Sequence, residues 1–195
     1  MQRRTRTKGS MAQAALDLAA ASPLSDITVT ALAERAGITR ETFYRYAASV
    51  ADAVADALGA ELEALQAQNP EIPAVSTTGE SVFLQPTRAL VAHVSHRAAV
   101  YRHALQPRLH PRLRELLMEN LSRGLAAHLD AHPEIAPPIG AARPGPFDRA
   151  GMVAYAAAGT IGVLEEWLAL TDPADPDRLT QVILAAAPEW WQGRV

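Results

Sequence analysis

The feature that most restricts this chain is the stretch Thr28 to Tyr46, TVTALAERAGITRETFYRY. Its apolar positions are Leu32, Ala33, Ala36, Ile38 and Phe43, a spacing that predicts two short helices joined by a tight turn. Thr28 and Thr39 stand where N-caps are wanted, since a threonine hydroxyl accepts a hydrogen bond from an otherwise unpaired N–H of the first turn. Gly37 falls between the two helices, where the chain must turn sharply and a residue without Cβ enters positive φ at little cost. Ala33 is small enough to let the helices approach. The pattern is that of a helix-turn-helix, a motif whose second helix enters the DNA major groove.

The remaining chain predicts helices only. Residues 10–21 form the first, with Met11, Ala14, Ala15, Leu18 and Ala19 on the face that covers the two short helices. A helix opens at Ser49, with Asp52 completing a short capping box, and ends near residue 69. Residues 69–80 hold two prolines, a glycine and several small polar residues, and mark a domain boundary. Helices follow over 86–105 and 111–131. Residues 133–146 are a Pro- and Gly-rich loop. A long helix capped by Asp148 runs to about residue 170, and a last one opens at Asp175-Pro176. The expected fold class is all-α: a three-helix DNA-binding domain over 1–50, a linking helix over about 49–68, and a helical ligand-binding and dimerisation domain over 69–195.

Charge and composition narrow the functions available. The net charge is −3, yet residues 1–46 carry seven bases against four acids, a net of +3, which leaves −6 for the rest. A basic end on an acidic body suits a protein that presents that end to a polyanion. There is no cysteine, so disulfides and thiol catalysis are excluded. The basic N-terminus has no apolar segment behind it, and the apolar run from Gly151 to Leu164 is too short to span a bilayer. A cytoplasmic location without membrane attachment is the simplest expectation.

The run from Ile27 to Leu58, through the spacing of Thr28, Ala33, Ala36, Gly37, Ile38, Phe43, Tyr44 and Ser49, resembles the DNA-binding domain of the TetR family of transcriptional regulators. The resemblance covers about a quarter of the chain closely. It implies a homodimeric, ligand-responsive regulator, read here as a repressor, that binds a two-fold DNA operator. Thr28, Thr39, Arg40, Thr42, Tyr44, Arg45 and Tyr46 are then the DNA-facing set. Arg40 and Thr42 lie near base edges, where Arg pairs with guanine and a Thr methyl touches thymine. The resemblance assigns Tyr44 and Tyr46 to phosphate. Phe43 is core. The chain departs from the family where a Phe and a Lys are usual: it has Ala47 and Val50, which removes packing between the third and fourth helices and one phosphate contact. Arg3, Arg4, Arg6 and Lys8 are available as a flexible basic arm, either on the DNA or free in solvent.

Three further sets of residues bear on function. Ala154, Ala158 and Gly162 recur every four residues and form a groove for a second helix, with Leu168, Leu179, Val182 and Ile183 beside it. Packing within the chain and a homodimer interface both fit them, and the resemblance implies the second. Leu90, Val94, Tyr101, Leu117, Leu121, Met152 and Tyr155 are candidate liners of a cavity for an apolar or amphipathic small-molecule effector. His93, His96 and His103 share a helical face opposite the apolar stripe. No carboxylate or Cys completes a metal set there, so the expectation is polar surface or pocket lining, with no metal and no cofactor. Trp167, Trp190 and Trp191 fit either core or interface. Two other classes remain open: a helical adaptor or ligand-free regulator, and an enzyme, for which no triad or paired carboxylates are present.

Overall fold

In the computed structural model, which describes residues 2–68, 71–171 and 175–193, the regular structure of the described residues is helical. The helices are α1 (Gln2–Ala21), α2 (Val29–Ala36), α3 (Arg40–Tyr44), α4 (Val50–Gln68), α5 (Leu84–His96), α6 (Ala98–His103), α7 (Pro111–Ala131), α8 (Pro146–Ala169) and α9 (Pro176–Ala186), with short 3-10 turns at Leu24–Asp26, Pro133–Ile135 and Glu189–Gln192.

The turn at Gly37 is built by the backbone itself. Gly37 adopts φ 65° and ψ 37°. Its N–H donates to the Glu34 carbonyl at 3.1 Å, and the Ile38 N–H reaches the Ala33 carbonyl at 2.9 Å. This pair of bonds is a Schellman motif, which satisfies the last carbonyls of α2 and reverses the chain into α3. Both expected N-caps form: Thr28 accepts from the Ala31 N–H and Thr39 from the Thr42 N–H, each at 3.1 Å.

The described chain forms two compact units, Met1–Ala64 with His96–Leu116, and Leu65–Ser95 with Leu117–Val195. In the first, Met11, Ala14, Ala15 and Ala19 of α1 are buried with Leu32, Ala33, Phe43, Val54 and Leu58, while Leu18 is only half-buried and Leu16 is buried instead. The expected boundary at 69–80 left 96–116 in the second part. The first unit claims it through polar ties as well as packing. His103 Nδ1–H donates to the Ala19 carbonyl at the end of α1 (2.9 Å), and Arg112 Nε donates to Asp52 at the start of α4 (2.7 Å).

Two expectations about local structure are corrected. The basic N-terminal segment is not a flexible arm; α1 begins at Gln2 and carries Arg6 and Lys8 on exposed turns. Gly9 does not end the helix, and the Ser10 hydroxyl donates back to the Thr7 carbonyl. The helix expected over 86–105 is broken at Arg97, whose backbone sits at φ −99°, ψ 18°. The Arg97 guanidinium is held there by Glu61 of α4, with Nε donating to the carboxylate at 3.0 Å. Asp148 is the third residue of α8 rather than its cap; its carboxylate accepts from the Gly145 N–H at 2.8 Å, the reciprocal half of a capping box.

The second unit packs α8 on α9 and centres on Phe83, Leu125, Leu129, Val153, Ala157, Leu184 and Trp191. Replacing Thr28 with Ala leaves the Ala31 N–H without its acceptor. The expected loss of about 1 kcal/mol of stability is measurable by urea denaturation monitored through helical ellipticity.

Candidate nucleic-acid interface and effector core

The outer surface of α3 follows from Phe43. That ring is fully buried, so the helix has one fixed rotational setting. Arg40, Glu41, Tyr44 and Arg45 then fall on the exposed side, with Thr42 and Tyr46 half-buried. Tyr44 is 53% exposed and its ring meets the Phe43 ring edge-on at 5.4 Å. Arg45 lies 3.7 Å from the Glu41 carboxylate across two highly exposed side chains, a pairing too solvated to tie the guanidinium down. The Thr39 and Thr42 hydroxyls are 3.0 Å apart, so the two share one hydrogen bond. Tyr46 is past the end of α3, in the turn that follows. The two positions that depart from the usual pattern, Ala47 and Val50, are both buried.

Ion pairs brace this surface from behind. Asp17 of α1 accepts from Arg35 of α2 at 2.9 Å and from Gln13 at 2.7 Å, and these bonds hold its carboxyl below the usual carboxylate range. At the start of α4 the Ser49 hydroxyl donates to Asp52 at 2.7 Å and accepts from the Asp52 N–H at 3.1 Å. The Ser49 hydroxyl, and then Arg112, keep the Asp52 carboxyl low against the opposing effect of burial. Arg112 also pairs with Glu115. Sequence reading missed Arg112 as a partner of the DNA-binding helices. Sixty residues separate it from Asp52, and nothing in the local pattern signals the pairing.

The candidate cavity liners separate. Leu90, Val94 and Leu117 are buried and Leu121 and Met152 half-buried, all in the second unit. Tyr101 is buried in the first unit, where burial foremost, and then the negative charge of Glu61, raises its phenol well above the ordinary value. Tyr155 is 72% exposed and lines no cavity of this chain. The reason is helical phase: Val153 and Ala157 face the core, and two residues on from Val153 is a rotation of about 200°. Tyr155 joins Ala154 and Phe147, the latter 86% exposed, on the outer face of α8. Of the groove residues, Ala154 and Val182 are exposed and Ala158 and Gly162 half-buried, whereas Leu168, Leu179 and Ile183 are buried within the second unit. Trp167 and Trp191 are buried and Trp190 is half-buried.

His93 and His103 fall in different units, and His103 is committed to Ala19. Among the described residues no group of three His, Cys, Asp or Glu is placed to hold a metal ion. None of the described helices is long and apolar enough to cross a membrane.

One buried polar group stands out in the second unit. His128 of α7 meets Phe83 edge-on at 4.9 Å and His132 at 4.9 Å. Burial, and secondarily the His132 ring, lower its pKa below the ordinary histidine value, against weaker opposing pulls from the Ile72 carbonyl and Glu134. Because the unfolded chain protonates first as pH falls, this group leaves stability unaffected above pH about 6.5 and erodes it below. The thermal midpoint should therefore drop between pH 7.5 and 5.5, and the drop should be smaller in His128→Phe than in the wild type; calorimetry checks it.

No family model matches this sequence, and no curated protein matches it either. Solved structures do match. A dihydroxyacetone kinase operon activator, DhaS, is 14% identical, with a TM-score of 0.61 over 93% of this chain and 96% of that one. A TetR-family regulator from Streptomyces coelicolor is 16% identical (TM-score 0.58, covering 91% and 77%). The Thermus thermophilus repressor FadR, solved with lauroyl-CoA, is 20% identical (TM-score 0.59, covering 96% and 95%). The architecture is thus an all-helical one with an N-terminal helix-turn-helix. Within that class, the chain has the fold of the TetR-family transcriptional regulators.

Proposed function

We propose that the chain is a ligand-responsive transcriptional repressor that binds a two-fold operator as a homodimer. The observation that carries this reading is the α2–turn–α3 geometry: two threonine caps, a left-handed Gly37, a buried Phe43, and Arg40, Tyr44 and Arg45 exposed above it. Arg40 lies in the first turn of α3, the part of a recognition helix that meets base edges. Tyr44 and Arg45 take phosphate, with Thr28, Thr39 and Tyr46 contributing from the helix ends and Thr42 from the first turn. Retardation of the DNA upstream of its own gene tests the reading; no retardation at low salt overturns it. Arg40→Ala should cost about 1–3 kcal/mol of operator affinity and relax specificity at one base pair. A protein-binding adaptor would keep its partner in that variant.

The dimer face is the outer surface of α8 and α9: Ala154, Ala158, Gly162 and Val182, joined by Tyr155. Small residues let a second copy's helices approach closely, and an isologous pairing places two recognition helices about one DNA turn apart or a multiple of it. Ala154→Arg should convert the protein to a monomer in sedimentation velocity and weaken operator binding, with helicity unchanged. The effector binds within the second unit and acts by preferring one separation of the recognition helices over the other. Its effect on operator affinity equals its differential affinity for the two states.

A further inference from the structure

The second unit keeps a buried polar group that its own chain leaves unsatisfied. His128 is 4% exposed, and neither Nδ1 nor Nε2 makes a hydrogen bond of normal geometry. The nearby Ile72 carbonyl accepts from His132 Nε2 at 2.9 Å. A neutral imidazole carries one donor and one acceptor, and a buried group with both unused is rare enough to need a reason. Its ring neighbours are Phe83 edge-on at 4.9 Å, the His132 imidazole at 4.9 Å and Trp191 with its centroid 6.2 Å away. Phe83 and Trp191 stack at 5.7 Å with only 11° between their planes. That spacing leaves no room for a third ring between them.

Trp191 is carried by the 3-10 turn Glu189–Gln192 and not by a long helix. Four hydrogen bonds hold the strap. Ser76 N–H donates to the Gly193 carbonyl (2.7 Å) and Val82 N–H to the Gln192 carbonyl (2.9 Å). Gln192 Nε2 donates to the carbonyls of Leu184 (2.9 Å) and Ala187 (3.0 Å). Gln192 Oε1 is buried and has no hydrogen-bond partner. Gly193 is at φ 61°, and a Cβ there would lie 2.6 Å from the Ala74 carbonyl oxygen, so the strap is fitted closely to the loop beneath it.

We propose that Phe83, His128 and Trp191 form the effector site, that its ligand is a planar aromatic alcohol, and that Trp191 fills the site until the ligand displaces it. The ligand ring stacks on Phe83 in place of the indole, and its hydroxyl donates to the acceptor nitrogen of His128. An aromatic carboxylate is the poorer ligand, because burial and the adjacent His132 keep His128 uncharged and an anion needs a positive partner. Leu121, Leu125 and Val153 supply the apolar surround. The inference rests on the reading of the second unit as an effector domain.

The test titrates the full chain with 2-naphthol, 2-naphthoate and naphthalene, following tryptophan emission and thermal midpoint. The expected result is saturable binding of 2-naphthol, at least tenfold weaker binding of 2-naphthoate, and a change in tryptophan emission as the indole leaves Phe83. His128→Phe keeps a ring of similar shape and should weaken 2-naphthol at least tenfold while leaving naphthalene unchanged. Trp191→Ala removes the competitor and should tighten 2-naphthol, an outcome that a purely structural role for Trp191 would reverse. Equal binding of the alcohol and the carboxylate, unchanged binding in His128→Phe, or weaker binding in Trp191→Ala overturns the proposal. Absence of 2-naphthol binding by a protein that still retards operator DNA overturns the site and leaves the regulator reading standing. Binding that follows the variants, by a protein that retards no DNA, supports the site and overturns the regulator reading.

Discussion

The helix-turn-helix end depends on one backbone event, the left-handed turn at Gly37. Its two Schellman bonds spend the last carbonyls of α2 and aim the chain into α3 within three residues. With that direction set, Phe43 enters the core and the helix has only one rotational setting. Exposure of Arg40, Tyr44 and Arg45 is then a geometric consequence, not a separate arrangement. A Cβ at residue 37 would meet no neighbouring atom, so the demand for glycine there is conformational and not one of space.

The turn alone does not hold three short helices. α3 has only five residues, far below the length at which an isolated helix persists in water. Its support comes from packing on α2 and from the buried Phe43, while ion pairs that reach across the sequence tie the rest of the unit: Asp17 with Arg35, Asp52 with Arg112, Glu61 with Arg97. Each is partly exposed, so each contributes modestly to stability. Their value lies in direction: they bring α6 and the first turns of α7 into the same unit as the helix-turn-helix.

The second unit follows a different logic. Its centre is apolar and aromatic, yet it retains His128, and the 3-10 turn Glu189–Gln192 sets Trp191 beside it. A core selected for stability alone would have replaced that imidazole with a hydrocarbon. The outer face of α8 shows the complementary anomaly: large rings at Phe147 and Tyr155 stand in solvent beside a row of small residues. One region is buried with polar groups unused, the other exposed with apolar groups unused, and the proposed effector and the proposed second copy each answer one of them.

The sequence by itself determined what local rules control. Caps at Thr28 and Thr39, the turn at Gly37, the core role of Phe43, the Ser49–Asp52 box and the proline-led start of α9 all rest on residues within five positions of one another, and all are present. The all-helical class was legible for the same reason. Tertiary structure alone decided the rest. The break at Arg97 is pinned by Glu61, thirty-six residues away, and the grouping of 96–116 with the N-terminal helices depends on bonds to Ala19 and Asp52. Helical phase on α8 turned Tyr155 outward, while packing of α8 on α9 claimed Leu168, Leu179 and Ile183 for the interior. An apolar stripe tells which residues seek burial; which partner buries them is settled only when distant segments meet.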